Sequence, residues 1–195
     1  MKILMLFCDM LRANKLTTVN KNIRRPTPFD NWLNEFGGCS YVNCYTPGPD
    51  TPRSLACLYT SLYPKSNGCK TRIEWPGFYL NEDLQTMFQF LNKNRFKIYT
   101  NFPESSIQVG ICTEKDLKVI TNYTTFLDLI NKKKIKGDNQ NEVFFIYLND
   151  FHHCISDFDG LPIGLKVGQK KLLDSFNIFF KKYNKDIFDF TFIFS

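Results

Sequence analysis

The chain has 195 residues, 43% of them hydrophobic, with 20 Phe and 9 Tyr; this is the composition of one packed globular domain and excludes a disordered polar segment. Its net charge of +6 suits an anionic substrate, but Lys132, Lys133 and Lys134 read as a solvated helix end or loop, so no nucleic-acid binding is expected. Seven Cys without a CxxC pair or a zinc-type Cys/His spacing read as reduced thiols, and no run approaches the roughly 20 apolar residues of a membrane span, so a cytoplasmic location is expected.

The opening MKILMLFCDM is too short for a signal peptide and reads as a first strand. Ile3 to Cys8 is continuously apolar, as in a parallel strand buried on both faces, and it ends at Asp9. Ligands bind at the carboxyl ends of such strands, so Asp9 either ligates a divalent metal or caps the next segment. Pro28 to Phe36 reads as an amphipathic helix closed by Gly37 and Gly38. Ser40 to Tyr45 alternates like a strand. It feeds a turn, Thr46-Pro47-Gly48-Pro49, that reaches Asp50, Thr51 and Pro52. With Pro52 at the first helical position, Thr51 reads as a hydroxyl N-cap of a helix carrying Leu55, Leu58, Tyr59 and Leu62. A hydroxyl at that positive terminus caps the helix or attacks a phosphorus or sulfur centre.

Lys65 to Tyr79 is turn-rich. Asn81 to Asn92 has helical period through Leu84, Met87, Phe88 and Leu91, and Phe96 to Thr100 reads as a strand. Strand and helix then alternate, which predicts an α/β fold, mostly a parallel sheet with helices on both faces. Thr124 to Ile130 reads as helix, ended by a loop at Gly137. Val143 to Leu148 reads as a second buried strand, followed by the only two His of the chain, His152 and His153. Gly168 to Tyr183 is an amphipathic helix and Ile187 to Phe194 a closing strand. No G-x-G-x-x-G follows the first strand, which sets a dinucleotide-binding domain aside.

Several of these blocks together resemble the sulfatase/alkaline-phosphatase superfamily. Thr51-Pro52 and Thr60-Ser61-Leu62-Tyr63-Pro64 are similar to its nucleophile signature, with Thr51 on the nucleophile position. Cys8-Asp9-Met10-Leu11-Arg12-Ala13-Asn14 is similar to its first metal motif, with Asp9 on the ligand position and Asn14 where an Asp is common. Asp150-Phe151-His152 is similar to an Asp-Pro-His that contacts the substrate oxyanion or a metal, with the choice between His152 and His153 open. Arg53 stands two places before the usual Arg, whose own position holds Leu55. The closing strand stops at Ser195, where the superfamily continues into Ser-Asp-His-Gly.

The resemblance implies an alkaline-phosphatase-like domain over residues 1–195 that is C-terminally incomplete, with Thr51 as nucleophile and as a metal ligand beside Asp9. Arg53, His152 and His153 would bind substrate, and the cofactor would be one or two divalent ions, Zn or Mn. Sulfatases oxidise a Cys or Ser to formylglycine and Thr cannot be so converted. The implied reaction is therefore phosphoryl-type transfer or phosphodiester hydrolysis, from a small anionic phosphoester or nucleotide-linked donor. A sugar acceptor fits the branch that adds methyl phosphoramidate to surface polysaccharide. A sulfuric ester hydrolase and a truncated, inactive remnant are the alternative expectations.

Overall fold

The computed structural model of the chain describes residues 1–12, 14, 16–17, 19–70, 80–102, 112–135, 139–150 and 162–194, with the side chains of 162–165 excepted. The fold is α/β. Its strands are β1 (Lys2–Cys8), β2 (Lys97–Thr100), β3 (Ile120–Asn122), β4 (Glu142–Leu148) and β5 (Phe190–Phe194). They form one all-parallel sheet in the order β3-β2-β4-β1-β5. Ile98 of β2 stands opposite Ile120 of β3 on one side and Val143 of β4 on the other. Every residue of β4 is buried, which accounts for its unbroken apolar run.

The helices among the described residues are α1 (Pro28–Phe36), α2 (Thr51–Thr60), α3 (Pro64–Asn67), α4 (Met87–Lys93), α5 (Glu114–Leu117), α6 (Phe126–Lys132) and α7 (Pro162–Lys182). The described residues group into two compact units. The first comprises Met1–Met5, Tyr45–Ile146 and Phe188–Thr191; the second comprises Leu6–Cys44, Tyr147–Ile187 and Phe192–Ser195.

In the first unit, the core is aromatic. Tyr59 of α2, Phe88 of α4, Phe145 of β4 and Phe102 just past β2 are all buried. The Phe88 ring lies 4.8 Å from Tyr59, 5.8 Å from Phe102 and 6.0 Å from Phe145, in tilted and edge-on contacts that such rings prefer. Asn122 fastens the end of β2: its Oδ1 accepts from Thr100 Oγ1 at 2.8 Å and from Phe102 N at 2.9 Å.

In the second unit, α1 packs on α7 through Phe29, Trp32 and Phe36 against Phe176 and Phe180. The start of α1 is set by a capping box. Thr27 Oγ1 accepts from Asp30 N, while Asp30 Oδ2 accepts from Thr27 N at 2.8 Å. Thr17 N also donates to Asp30 Oδ1 at 2.8 Å. Gly37 and Gly38 close the helix at φ 80° and 117°, a conformation that only glycine adopts without strain.

Burial pushes the Asp30 carboxyl pKa up, but the hydrogen bonds from Thr27 and Thr17 outweigh burial, and the net shift is down. A depressed carboxyl stabilises the fold above its unfolded pKa, and this is lost as pH falls through the folded value. Acid titration of stability should therefore show Asp30's contribution intact above about pH 4 and declining below it. Asp30→Asn should remove that acid-sensitive component and cost about 1–2 kcal/mol at neutral pH.

Several sequence expectations are corrected. Residues 40–45 carry no strand: Tyr41, Val42 and Tyr45 are exposed, so their alternation has no sheet face to bury. The helix expected over Asn81 to Asn92 starts at Met87, because the Thr86 hydroxyl accepts from Gln89 N and caps it there, leaving Glu82 and Asp83 in a turn. The last long helix begins at Pro162, earlier than Gly168, and β5 begins at Phe190, after a short 3₁₀ turn over Lys185–Ile187.

Candidate functional site

Asp9 follows directly on β1 and is buried. Its backbone N–H donates to Leu148 O at 2.9 Å, which ties the carboxyl end of β1 to that of β4. Asp9 and Met10 form a turn closed by Leu11 N to Cys8 O at 3.3 Å, and Met10 takes φ 62°, a left-handed conformation unusual for a side chain of its kind. The Asp9 Oδ2 accepts a hydrogen bond of 2.5 Å from the Tyr147 phenol. Tyr147 in turn stacks on Phe7, with ring centroids 5.6 Å apart and planes 14° from parallel.

Charge gathers at this strand end. Burial drives the Cys8 thiol's pKa well up, and the Asp150 and Asp9 carboxylates push it further in the same direction. Cys8 is therefore a neutral packing group at physiological pH rather than a thiolate. Burial and the Asp9 carboxylate likewise push the Tyr147 phenol up, so it remains a proton donor. Asp150 Oδ2 accepts from Ser175 Oγ of α7 at 3.3 Å.

Thr51 belongs to the other compact unit and is half-buried in the first turn of α2. It is not the N-cap. Asp50 holds that position in extended conformation, and its carboxylate accepts from Arg53 N at 3.0 Å, which leaves Thr51 as the first helical residue with Pro52 behind it. A carboxylate caps a helix start as well as a hydroxyl does, and local sequence alone could not choose between the two neighbours.

Arg53 is engaged by the same carboxylate. Its Nε donates to Asp50 Oδ2 at 2.6 Å, and its terminal nitrogen pairs with that oxygen too. The negative charge that the end of α2 favours is thus supplied by the chain itself. The preceding turn is braced by Ser54 Oγ, which lies 2.7 Å from Thr46 Oγ1 and donates to Gly48 O at 2.8 Å. Gly48 is obligatory there: a Cβ on it would lie 2.6 Å from the Cβ of Arg53.

His152 and His153 lie outside the described residues. Among the described residues no three His, Cys, Asp or Glu side chains cluster to hold a metal ion. Asp9 and Asp150, at the ends of neighbouring strands, supply carboxylate oxygens of the kind a hard divalent ion takes. No helix among the described residues is long and apolar enough to cross a membrane. Of the six described cysteines, none is in a disulfide; Cys8, Cys57, Cys69 and Cys112 are buried, and Cys39 and Cys44 are exposed.

Sequence reading passed over Tyr147 and Asp50. The phenol of a buried Tyr ending an apolar run needs an acceptor, and the nearest candidate is the acid that ends the adjacent strand. No family model matches the chain, and no curated protein or solved structure matches it either.

Proposed function

We propose that this chain carries the nucleophile and a metal-ligand carboxylate of a phosphoryl-type transferase or phosphodiester hydrolase, with Thr51 as nucleophile. The observation that supports the reading most is local: Asp9 is a buried carboxylate at the carboxyl end of β1 in a parallel sheet, where such folds bind their ligands. The Thr51 hydroxyl, in the first turn of a ten-residue helix, would attack phosphorus, forming an O–P bond as the leaving alcohol departs. A water or a sugar hydroxyl would then take the phosphoryl group and regenerate the hydroxyl.

The donor chemistry at Asp9 fits a divalent ion, Zn²⁺ or Mn²⁺, with Asp150 as a second oxygen donor. Such an ion, when bound, depresses the pKa of a coordinated hydroxyl and neutralises developing negative charge. Arg53 commits Nε and one terminal nitrogen to Asp50, so an anionic substrate would meet the guanidinium's remaining N–H donors.

The test is phosphodiester turnover with Mn²⁺ or Zn²⁺, compared between the protein carrying Thr51 and its Thr51→Ala variant. Whatever turnover the Thr51 form shows is expected to be lost in the variant. Equal rates in the two proteins would remove Thr51 from the chemistry.

A further inference from the structure

Tyr147 has no place in the motifs that single out Asp9, yet the structure couples the two closely. Tyr147 is on β4 and Asp9 directly follows the neighbouring β1, 138 residues apart in sequence, and both are buried. The Tyr147 phenol donates to Asp9 Oδ2 at 2.5 Å, while its ring is held flat against Phe7. The backbone of Asp9 is pinned at the same level by its N–H bond to Leu148 O. A carboxylate fixed at its backbone and at one oxygen has little rotational freedom left, and the plane of the group sets where its other oxygen faces.

From this geometry we infer that Tyr147 is a positioning residue for Asp9: its O–H orients the carboxylate toward the divalent ion that the proposed function requires. The inference rests on that reading of Asp9. A ligand held by a neighbouring hydrogen bond binds its ion with less reorganisation, and removing such a partner costs roughly 10–100-fold in metal affinity. Phe in place of Tyr147 keeps the ring stacked on Phe7 and deletes only the donor.

The experiment is isothermal titration of the full chain with Mn²⁺ alone, for wild type, Tyr147→Phe, Asp9→Asn and Phe7→Leu. Thermal melts of the same proteins report whether each is folded. Wild type should bind, Asp9→Asn should lose binding, and Tyr147→Phe should bind about 10–100-fold more weakly. Phe7→Leu, which alters the stack but keeps the O–H, should bind as wild type does. Equal affinities for wild type and Tyr147→Phe, alongside loss in Asp9→Asn, would overturn the role of Tyr147 and leave Asp9 as a ligand. No Mn²⁺ binding by wild type, or undiminished binding by Asp9→Asn, would overturn the metal reading of Asp9 and this inference with it.

Discussion

Phe88→Ala is expected to lower the unfolding free energy by about 3–5 kcal/mol, while Phe90→Ala, two residues along the same helix, should change it by no more than about 0.5 kcal/mol. Phe88 is fully buried and Phe90 is 56% exposed. The Phe88 ring is enclosed by Tyr59, Phe102 and Phe145, which come from α2, the end of β2, and β4. Truncation removes a ring's worth of contacts from a site whose walls belong to three separate elements, so collapse into the void is limited. Urea unfolding of the two variants, compared through their midpoints at constant slope, checks the contrast. A loss below about 1 kcal/mol for Phe88→Ala would mean that this aromatic cluster is far looser than its geometry implies.

Glu142→Gln should destabilise the chain by about 3–5 kcal/mol, whereas Asp128→Asn should cost no more than about 0.5 kcal/mol. Glu142 is the first residue of β4 and is almost completely buried, as is Lys2 of β1. Its Oε1 accepts from Lys133 Nζ at 2.6 Å. Its Oε2 lies 3.9 Å from Lys2 Nζ and accepts no hydrogen bond among the described residues. One carboxylate therefore faces two ammonium groups that have little access to water, and the isosteric amide would remove the negative charge it presents to both.

Lys133 is also placed 4.0 Å from the centre of the Tyr99 ring. Burial alone would push its pKa down, but the bonds to Glu142 and Tyr99 outweigh it and the net shift is up. The stabilisation it contributes is complete below about pH 10 and is lost as pH rises through the folded value. By contrast, the Lys132–Asp128 pair is solvent-exposed, with the Lys132 side chain 66% accessible, so water screens it. Denaturant melts of the two variants at neutral pH measure the difference; comparable small losses would show that water reaches Glu142.

Much of the framework is legible in the amino-acid order because it is written locally. The run from Ile3 to Cys8 and that from Val143 to Leu148 are strands buried in a parallel sheet, and their apolar continuity says so. Thr27 with Asp30 and Gly37 with Gly38 bracket α1 by side-chain and backbone chemistry within a turn of each end. Where reading by neighbours goes astray, the deciding contact is a close alternative or is distant in sequence. Asp50 and Thr51 both make good caps, and only the folded backbone shows which one does. The buried Thr86 caps α4 and also pairs with Asp116, 30 residues on, which anchors the helix start later than its apolar period suggests. β3 is three residues with one apolar side chain, too little to register as a period. At the candidate site, Asp9 is marked by its place after a strand, but the phenol that holds it lies 138 residues away and leaves no local trace.

The sheet order also has a consequence for synthesis. Of the described strands β1 is made first, yet its two neighbours in the sheet, β4 and β5, come after the other two. The terminal amine waits for Asn141, 140 residues downstream, to which it bonds at 2.9 Å. At about 5–20 residues per second, that interval is on the order of 10 s. For that time the apolar seven-residue segment is without its partners in the sheet, while β2 and β3 can already pair.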